Sequence, residues 1–123
     1  MNRREKDGLR KILLELKEER RSASAAAEED TGYDISRLQE LRTALEELKE
    51  DMEQRLQDSG DEARYSAKGE MEEDEIFMME EALDLLDEAL VIAAQDAEEA
   101  GGEALRELSA IISDAVEELW DIL

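Results

Sequence analysis

A row of carboxylates in the third quarter of the chain is the pattern best placed to take part in chemistry. Glu80, Asp84 and Glu88 follow one another at intervals of four residues, with no Lys or Arg between them. On an α-helix this spacing stacks the three charges on one face, and each like-charged pair costs ~0.2–0.5 kcal/mol. Selection for helix stability alone would alternate the signs. The row therefore indicates a docking surface or an unusually acidic solvated face.

The same predicted helix carries further acidic residues opposite its apolar seam. The candidate partner-binding residues are Glu73, Glu80, Glu81, Asp84, Asp87, Glu88, Glu98 and Glu99. A face of this kind attracts cationic partners and repels nucleic acid and anionic membranes. A run of charge is more often simply a solvated face, so solubility is the competing interpretation.

Catalysis and metal binding have little support in the composition. The chain contains no His and no Cys, so it lacks the commonest general base, the commonest metal ligand and any thiol nucleophile. Metal sites in four-helix bundles use Glu-x-x-His motifs that project into the core, whereas the carboxylates here are expected to point outward. We therefore expect no enzyme activity, no catalytic residue, no metal site and no cofactor.

The charge is sorted along the chain. Residues 1–33 carry eight basic and eight acidic side chains, whereas residues 71–123 carry eighteen acidic residues and one Arg. The second stretch thus holds a net charge of −17 out of the total of −22. General adaptation to salt would acidify both halves, so it does not explain the sorting.

Helices are the elements that must position these charges. The chain has no Pro, and Ala, Leu, Glu and Arg, which favour helices, are abundant. Apolar residues recur in steps of three and four in four segments, which begin near Asn2, Ser36, Glu70 and Glu103. Gly32 offers a stop for the first segment, Asp34 or Ser36 an N-cap for the second, and Gly101-Gly102 a stop for the third.

The widths of the apolar stripes predict how the helices associate. The stripe of the second segment spans only about 80°, as in a two-stranded coiled coil, whereas those of the third and fourth segments span about 180–200°. Wide stripes need cover from two directions, because each exposed apolar side chain forgoes ~1.5–3 kcal/mol. We predict an all-α fold of two antiparallel helical hairpins that form a four-helix bundle. The alternative is a homodimer in which hairpins from two copies pair.

The expected domain organisation follows the two hairpins. A mixed-charge, coiled-coil-like hairpin covers residues 1–58, a polar linker covers 59–69, and a strongly acidic hairpin with broad apolar faces covers 70–123. The apolar runs are far too short to span a membrane, and Met1-Asn2-Arg3-Arg4 leads into charged sequence without an apolar signal core. We expect a cytoplasmic protein that contacts neither membrane nor nucleic acid directly.

The charge pattern favours a non-enzymatic function. We expect an acidic interaction or inhibitor protein that docks on a basic protein surface. If the partner itself binds nucleic acid, the carboxylates would mimic phosphates, which are spaced at one charge per ~1.7 Å of duplex. The alternative is a structural or designed helical bundle with no evolved ligand, because strong heptads, Glu-rich surfaces and the absence of Pro, Cys and His suit design practice.

Overall fold

Four α-helices make up the described structure. The computed structural model describes residues 1–29, 31–60, 66–96 and 102–123, with only the backbone at positions 95 and 96. The helices are α1 (Arg3–Glu29), α2 (Ser36–Asp58), α3 (Ala67–Asp96) and α4 (Gly102–Trp120). These ranges contain no strand, and the predicted all-α class is confirmed.

Side-chain oxygens cap the starts of α1 and α3. Asn2 and Glu5 form a reciprocal capping box at α1, in which each side chain accepts the backbone N–H of the other at 2.8–2.9 Å. At α2 the N-cap residue is Ile35, which forms no side-chain cap, so the prediction of Asp34 or Ser36 at this position was wrong. Asp34, one residue earlier, accepts the N–H of Ser36 at 2.9 Å. At α3 the hydroxyl of Ser66 accepts the N–H of Gly69. Because of this cap, α3 begins inside the segment predicted as linker.

The helices form a closed ring in chain order. Helix α1 contacts α2 and α4, and α3 contacts the same two helices. Successive helices run antiparallel, which gives the up-down-up-down topology of a simple four-helix bundle. The predicted bundle is therefore confirmed within one chain. Most of the wide apolar stripes of α3 and α4 is covered by α1 and α2, although Trp120 is 53% exposed.

One apolar core joins all four helices. Leu13 from α1, Leu45 from α2, Met79 from α3 and Ile112 from α4 are each fully buried in the same cluster. The narrow stripe predicted for the first helix is also buried, from Leu9 to Ala27. Apolar burial of this kind stabilises by roughly 25 cal/mol per Å². The core thus fixes which face of α3 is available to solvent.

Helices α1 and α4 approach each other closely where α4 begins. A Cβ atom placed on Gly102 would lie 2.8 Å from the carbonyl oxygen of Ala27. Ala23, Ala26 and Ala27 are buried along the same stretch of α1. The Gly101-Gly102 pair was predicted to end the third helix. Gly102 instead opens α4 and allows this contact, while Gly101 lies outside the described residues.

Candidate docking surface

Six of the eight candidate binding residues lie in the described part of α3. Five of them, Glu73, Glu80, Glu81, Asp84 and Glu88, are exposed, and Asp87 is partly exposed. Glu98 and Glu99 lie outside the described residues. The six do not form one uniform surface, because neighbouring helices contact the two edges of the face.

The edge next to α2 is paired with basic side chains. Asp87 accepts hydrogen bonds from Nε and Nη2 of Arg42 at 2.8 and 3.2 Å. Glu80 lies 3.7 Å from the ammonium group of Lys49. These two carboxylates were expected on the side opposite the apolar seam. They flank the α2–α3 interface instead, because a helical wheel gives an angle but not the position of the neighbouring helix.

The edge next to α4 brings two carboxyl groups together. Burial, a hydrogen bond with Glu81 and the negative charges of Glu81 and Asp121 together raise the pKa of Glu118 to about 7. A neutral Glu118 carboxyl can donate its proton to the Glu81 carboxylate. The sequence pattern does not show this pair, because the two carboxyl groups come from different helices.

The solvent-exposed stripe of α3, which includes Glu81 from the edge next to α4, also contains an aromatic residue. Phe77 is 59% exposed, and Glu81, Asp84 and Glu88 are exposed on the following turns. Intervals of three and four residues place all four side chains on one stripe of the helix. We call these four residues the outer acidic face.

A buried ionic cluster lies at one end of the bundle. Arg55 of α2 donates to Glu5 of α1 at 2.7 and 2.9 Å and lies 3.1 Å from a carboxylate oxygen of Glu72 on α3. The two carboxylates are only 6% and 3% exposed, respectively. Burial alone would raise the pKa of each carboxyl group. The hydrogen bonds and charge of Arg55, together with the N–H of Asn2 at Glu5 and the N-terminal ammonium group at both residues, outweigh burial. The pKa values of Glu5 and Glu72 therefore lie below the usual range.

Sequence reasoning missed this cluster although the periodicity contains a signal. Glu72 lies seven residues before Met79, and Glu5 lies four residues before Leu9. Both are therefore at core positions of their heptads. The expectation that the carboxylates of the third helix all point outward is corrected for Glu72. An acidic residue at a core position requires a cation nearby, and Arg55 meets that need.

A groove lies between the C-terminal half of α2 and the N-terminal half of α3. Its volume is about 390 Å³, and its lining combines apolar and acidic side chains. The lining residues are Glu53, Leu56, Gln57, Glu73, Ile76, Phe77 and Glu80. We call it the α2–α3 groove. Phe77 belongs both to this groove and to the outer acidic face.

The described residues also show how acidic side chains and apolar helices are arranged elsewhere in the molecule. In residues 1–29, 31–60, 66–96 and 102–123, no group of three or more acidic side chains is arranged to hold a metal ion. No helix in those ranges is both long enough and apolar enough to cross a membrane.

Fold and surface together define a class: a small all-α four-helix bundle with one acidic, partly aromatic face. Comparisons with protein families, with curated proteins and with solved structures found no match for this chain. The exposed side chains of this molecule are therefore the basis for assigning it a function.

Proposed function

We propose that this protein is a non-enzymatic acidic interaction or inhibitor protein that docks on a basic protein surface through the outer acidic face. The exposed ring of Phe77 among the carboxylates of that face carries the proposal. A face that serves only solubility needs charge but gains nothing from an exposed aromatic ring. Aromatic residues are enriched at the centres of protein interfaces, where they supply much of the binding energy.

The charges of the outer acidic face differ from those of α1. On α1, Asp7 and Glu18 are exposed and pair with basic residues of the same helix, in the pairs Arg10–Asp7 and Arg21–Glu18 at 3.2 Å. Residues 71–96 of α3 contain no Lys or Arg, so Glu81, Asp84 and Glu88 have no basic neighbour on their own helix. Such a field speeds association with cationic surfaces and weakens as salt increases.

The density of charge supports docking to a basic surface more than close imitation of nucleic acid. The three carboxylates from Glu81 to Glu88 occupy about 10.5 Å of helix axis at 1.5 Å per residue. A DNA duplex presents about six phosphates over the same length. The face is thus about half as dense as the phosphate track, and the proposal does not require a partner that binds nucleic acid.

Two charge-matched variants test the proposal. The first carries Glu81→Gln, Asp84→Asn and Glu88→Gln on α3. The control carries Glu47→Gln, Glu50→Gln and Asp51→Asn at exposed positions of α2. Both variants replace three carboxylates, and binding is compared at pH 8, above the pKa of about 7 of Glu118. Glu118 is then largely ionised in the wild type as well, so the two variants differ in the location of the change. Each immobilised protein is incubated with cell lysate at ~50 mM salt, and retained proteins are purified and titrated directly against it across salt concentrations.

We expect the wild type and the α2 control to retain the same basic proteins, and the α3 variant to bind them at least about tenfold more weakly. Affinity for these proteins should fall steeply towards ~0.5 M salt, where screening is short-ranged. Equal binding by the two variants, affinity that does not change with salt, or the absence of any retained partner would contradict the proposal. The last result would favour a structural bundle with no evolved ligand.

A further inference from the structure

We infer that the α2–α3 groove binds an arginine side chain of the basic partner, with the guanidinium group against the ring of Phe77. This inference rests on the proposed function and specifies which residue type the partner presents. Three features favour this occupant: the apolar floor of the groove, the negative charge of its rim and the poorer fit of other ligands.

The floor of the groove suits an aliphatic stem. Leu56 and Ile76 line it and are nearly buried, while Phe77 stands exposed at its side. The volume of about 390 Å³ is at the small end of the ~300–1,000 Å³ range of ligand pockets. Arginine places its methylene stem along apolar surface and keeps its charged head near water. A single long side chain therefore fits the shape and the polarity of the groove.

The rim of the groove carries more negative than positive charge. Glu53 and Glu80 line it, and Lys49 approaches both, at 3.4 Å from Glu53 and 3.7 Å from Glu80. Both distances exceed the ~2.7–2.9 Å of a strong charge-assisted hydrogen bond. One ammonium group is thus shared loosely by two carboxylates. A guanidinium group, with five N–H donors in one plane, can add hydrogen bonds to this rim.

Three other occupants fit less well. A lysine would bring a strongly hydrated ammonium group that does not stack on an aromatic ring as a planar guanidinium does. A second copy of this chain would bring acidic surfaces face to face in a protein of net charge −22. A purely apolar ligand would remove water from the rim carboxylates without compensating hydrogen bonds. Arginine supplies an apolar stem, a planar cation and hydrogen-bond donors together.

Two peptides of equal length and charge test the inference on the full chain. Each contains three basic residues separated by Gly and Ser, arginines in one peptide and lysines in the other. Each peptide is titrated into the protein at ~50 mM salt, and binding is monitored by calorimetry and by ¹⁵N NMR to compare the two affinities. We expect the arginine peptide to bind about two- to fivefold more tightly, as for an exposed cation–π contact. The backbone resonances of Leu56, Ile76 and Phe77 should shift.

Two exposed apolar positions on α3 provide a variant and its control. Phe77→Ala should reduce the preference for arginine over lysine to about one, because the stacking surface is lost. Val91→Ala should leave the preference unchanged, because Val91 is 53% exposed and lies outside the lining of the groove. Both side chains are exposed, so circular dichroism should show an unchanged helical content for both variants.

The outcomes separate the two hypotheses. If both peptides bind wild-type protein equally and with the same salt dependence, the arginine site is wrong and the acidic docking function stands. The same conclusion follows if Phe77→Ala keeps the preference, or if Val91→Ala loses it. If neither peptide binds and the lysate yields no basic partner, both hypotheses are wrong.

Discussion

The α2–α3 interface and the α1–α4 interface hold antiparallel helices together by different means. Along α2–α3, basic residues of α2 face carboxylates of α3 at successive levels, in the pairs Arg42–Asp87, Lys49–Glu80 and Arg55–Glu72. Along α1–α4, small residues allow close backbone contact at one end of the interface. The difference shows that the acidic helix α3 can pack beside α2 because α2 supplies the opposite charge.

The comparison also explains why the α3–α4 interface behaves differently. Helix α4 contains Arg106 as its only basic residue, so it cannot neutralise the adjacent edge of α3. At this edge the Glu118 carboxyl group lies against Glu81, and its pKa is raised to about 7. Basic residues of α2 thus pair with carboxylates on one edge of α3, whereas a carboxyl group on the other edge holds its proton to a higher pH than usual.

The largest change in stability is expected at the ionic α2–α3 interface. Replacement of Arg55 by Met should leave Glu5 and Glu72 buried without the guanidinium group. Removal of one partner from a fully buried ion pair costs ~3–5 kcal/mol. Because the Arg55 side chain is 33% exposed, we expect about 2–3 kcal/mol here, measured by urea unfolding at pH 7.

Arg42→Met is the matched control on the same helix. Its partner Asp87 is 48% exposed, and exposed pairs contribute only about 0–1 kcal/mol. Similar losses of unfolding free energy in the two variants would show that burial does not distinguish these pairs. A gain in stability from Arg55→Met would show that the free energy of desolvating the cluster exceeds the stabilisation from its ion pairs.

A smaller change in stability is expected at the closely packed α1–α4 interface. In Gly102→Ala the new Cβ would lie 2.8 Å from the backbone oxygen of Ala27, so the two helices must move apart. Overpacking of this kind costs ~1–3 kcal/mol. Gly8→Ala is the control, because its Cβ would meet only Leu48 at 3.8 Å. There we expect a gain of ~0.5–1 kcal/mol from the higher helix propensity of Ala.

Thermal unfolding of the two glycine variants gives the measurement. Opposite signs support close packing at the start of α4 and ordinary helix propensity in α1. If Gly102→Ala is as stable as the wild type or more stable, the backbone contact between α1 and α4 does not limit stability.

The sequence predicted the fold because the apolar periodicity is strong and because chain breaks are few. The widths of the stripes led to a bundle, and residues such as Leu9, Leu13 and Leu41 are buried as their spacing indicated. The start of α3 was placed at Glu70 rather than Ala67. Propensity does not locate a cap such as Ser66 when the following residues include a glycine.

The candidate site was less accessible to sequence reasoning, since it depends on which helices become neighbours. Glu80 and Asp87 were grouped with Asp84 because all are far from the apolar seam on a wheel, yet they contact α2. The groove joins Leu56 and Phe77, which are distant in sequence. Contacts of this kind depend on which helices are neighbours in the bundle. The apolar periodicity of each single helix does not show that order.

The smallest expected effect concerns the edge of α3 that α2 cannot reach. The folded state holds the proton of Glu118 up to about pH 7, above the 4.5 of an unperturbed Glu. Folding therefore favours the protonated form, so the stability from this group is complete below about pH 4.5 and is lost as pH rises through about 7. Glu118→Gln keeps a neutral hydrogen-bond donor towards Glu81. We expect the free energy of unfolding of Glu118→Gln at pH 8 to exceed that of the wild type by about 1 kcal/mol. The gain is small because water screens a partly exposed pair.

Glu117→Gln is the control, because Glu117 is the exposed neighbour in the chain and its replacement removes the same charge. Urea unfolding at pH 4 and pH 8 compares both variants with the wild type. At pH 4 Glu118 is already largely protonated, so Glu118→Gln should change little. An equal gain from both variants at pH 8 would assign the effect to total negative charge rather than to the Glu81–Glu118 pair. A gain specific to Glu118→Gln would show that α4 lacks the counter-charge that α2 provides along the opposite edge of α3.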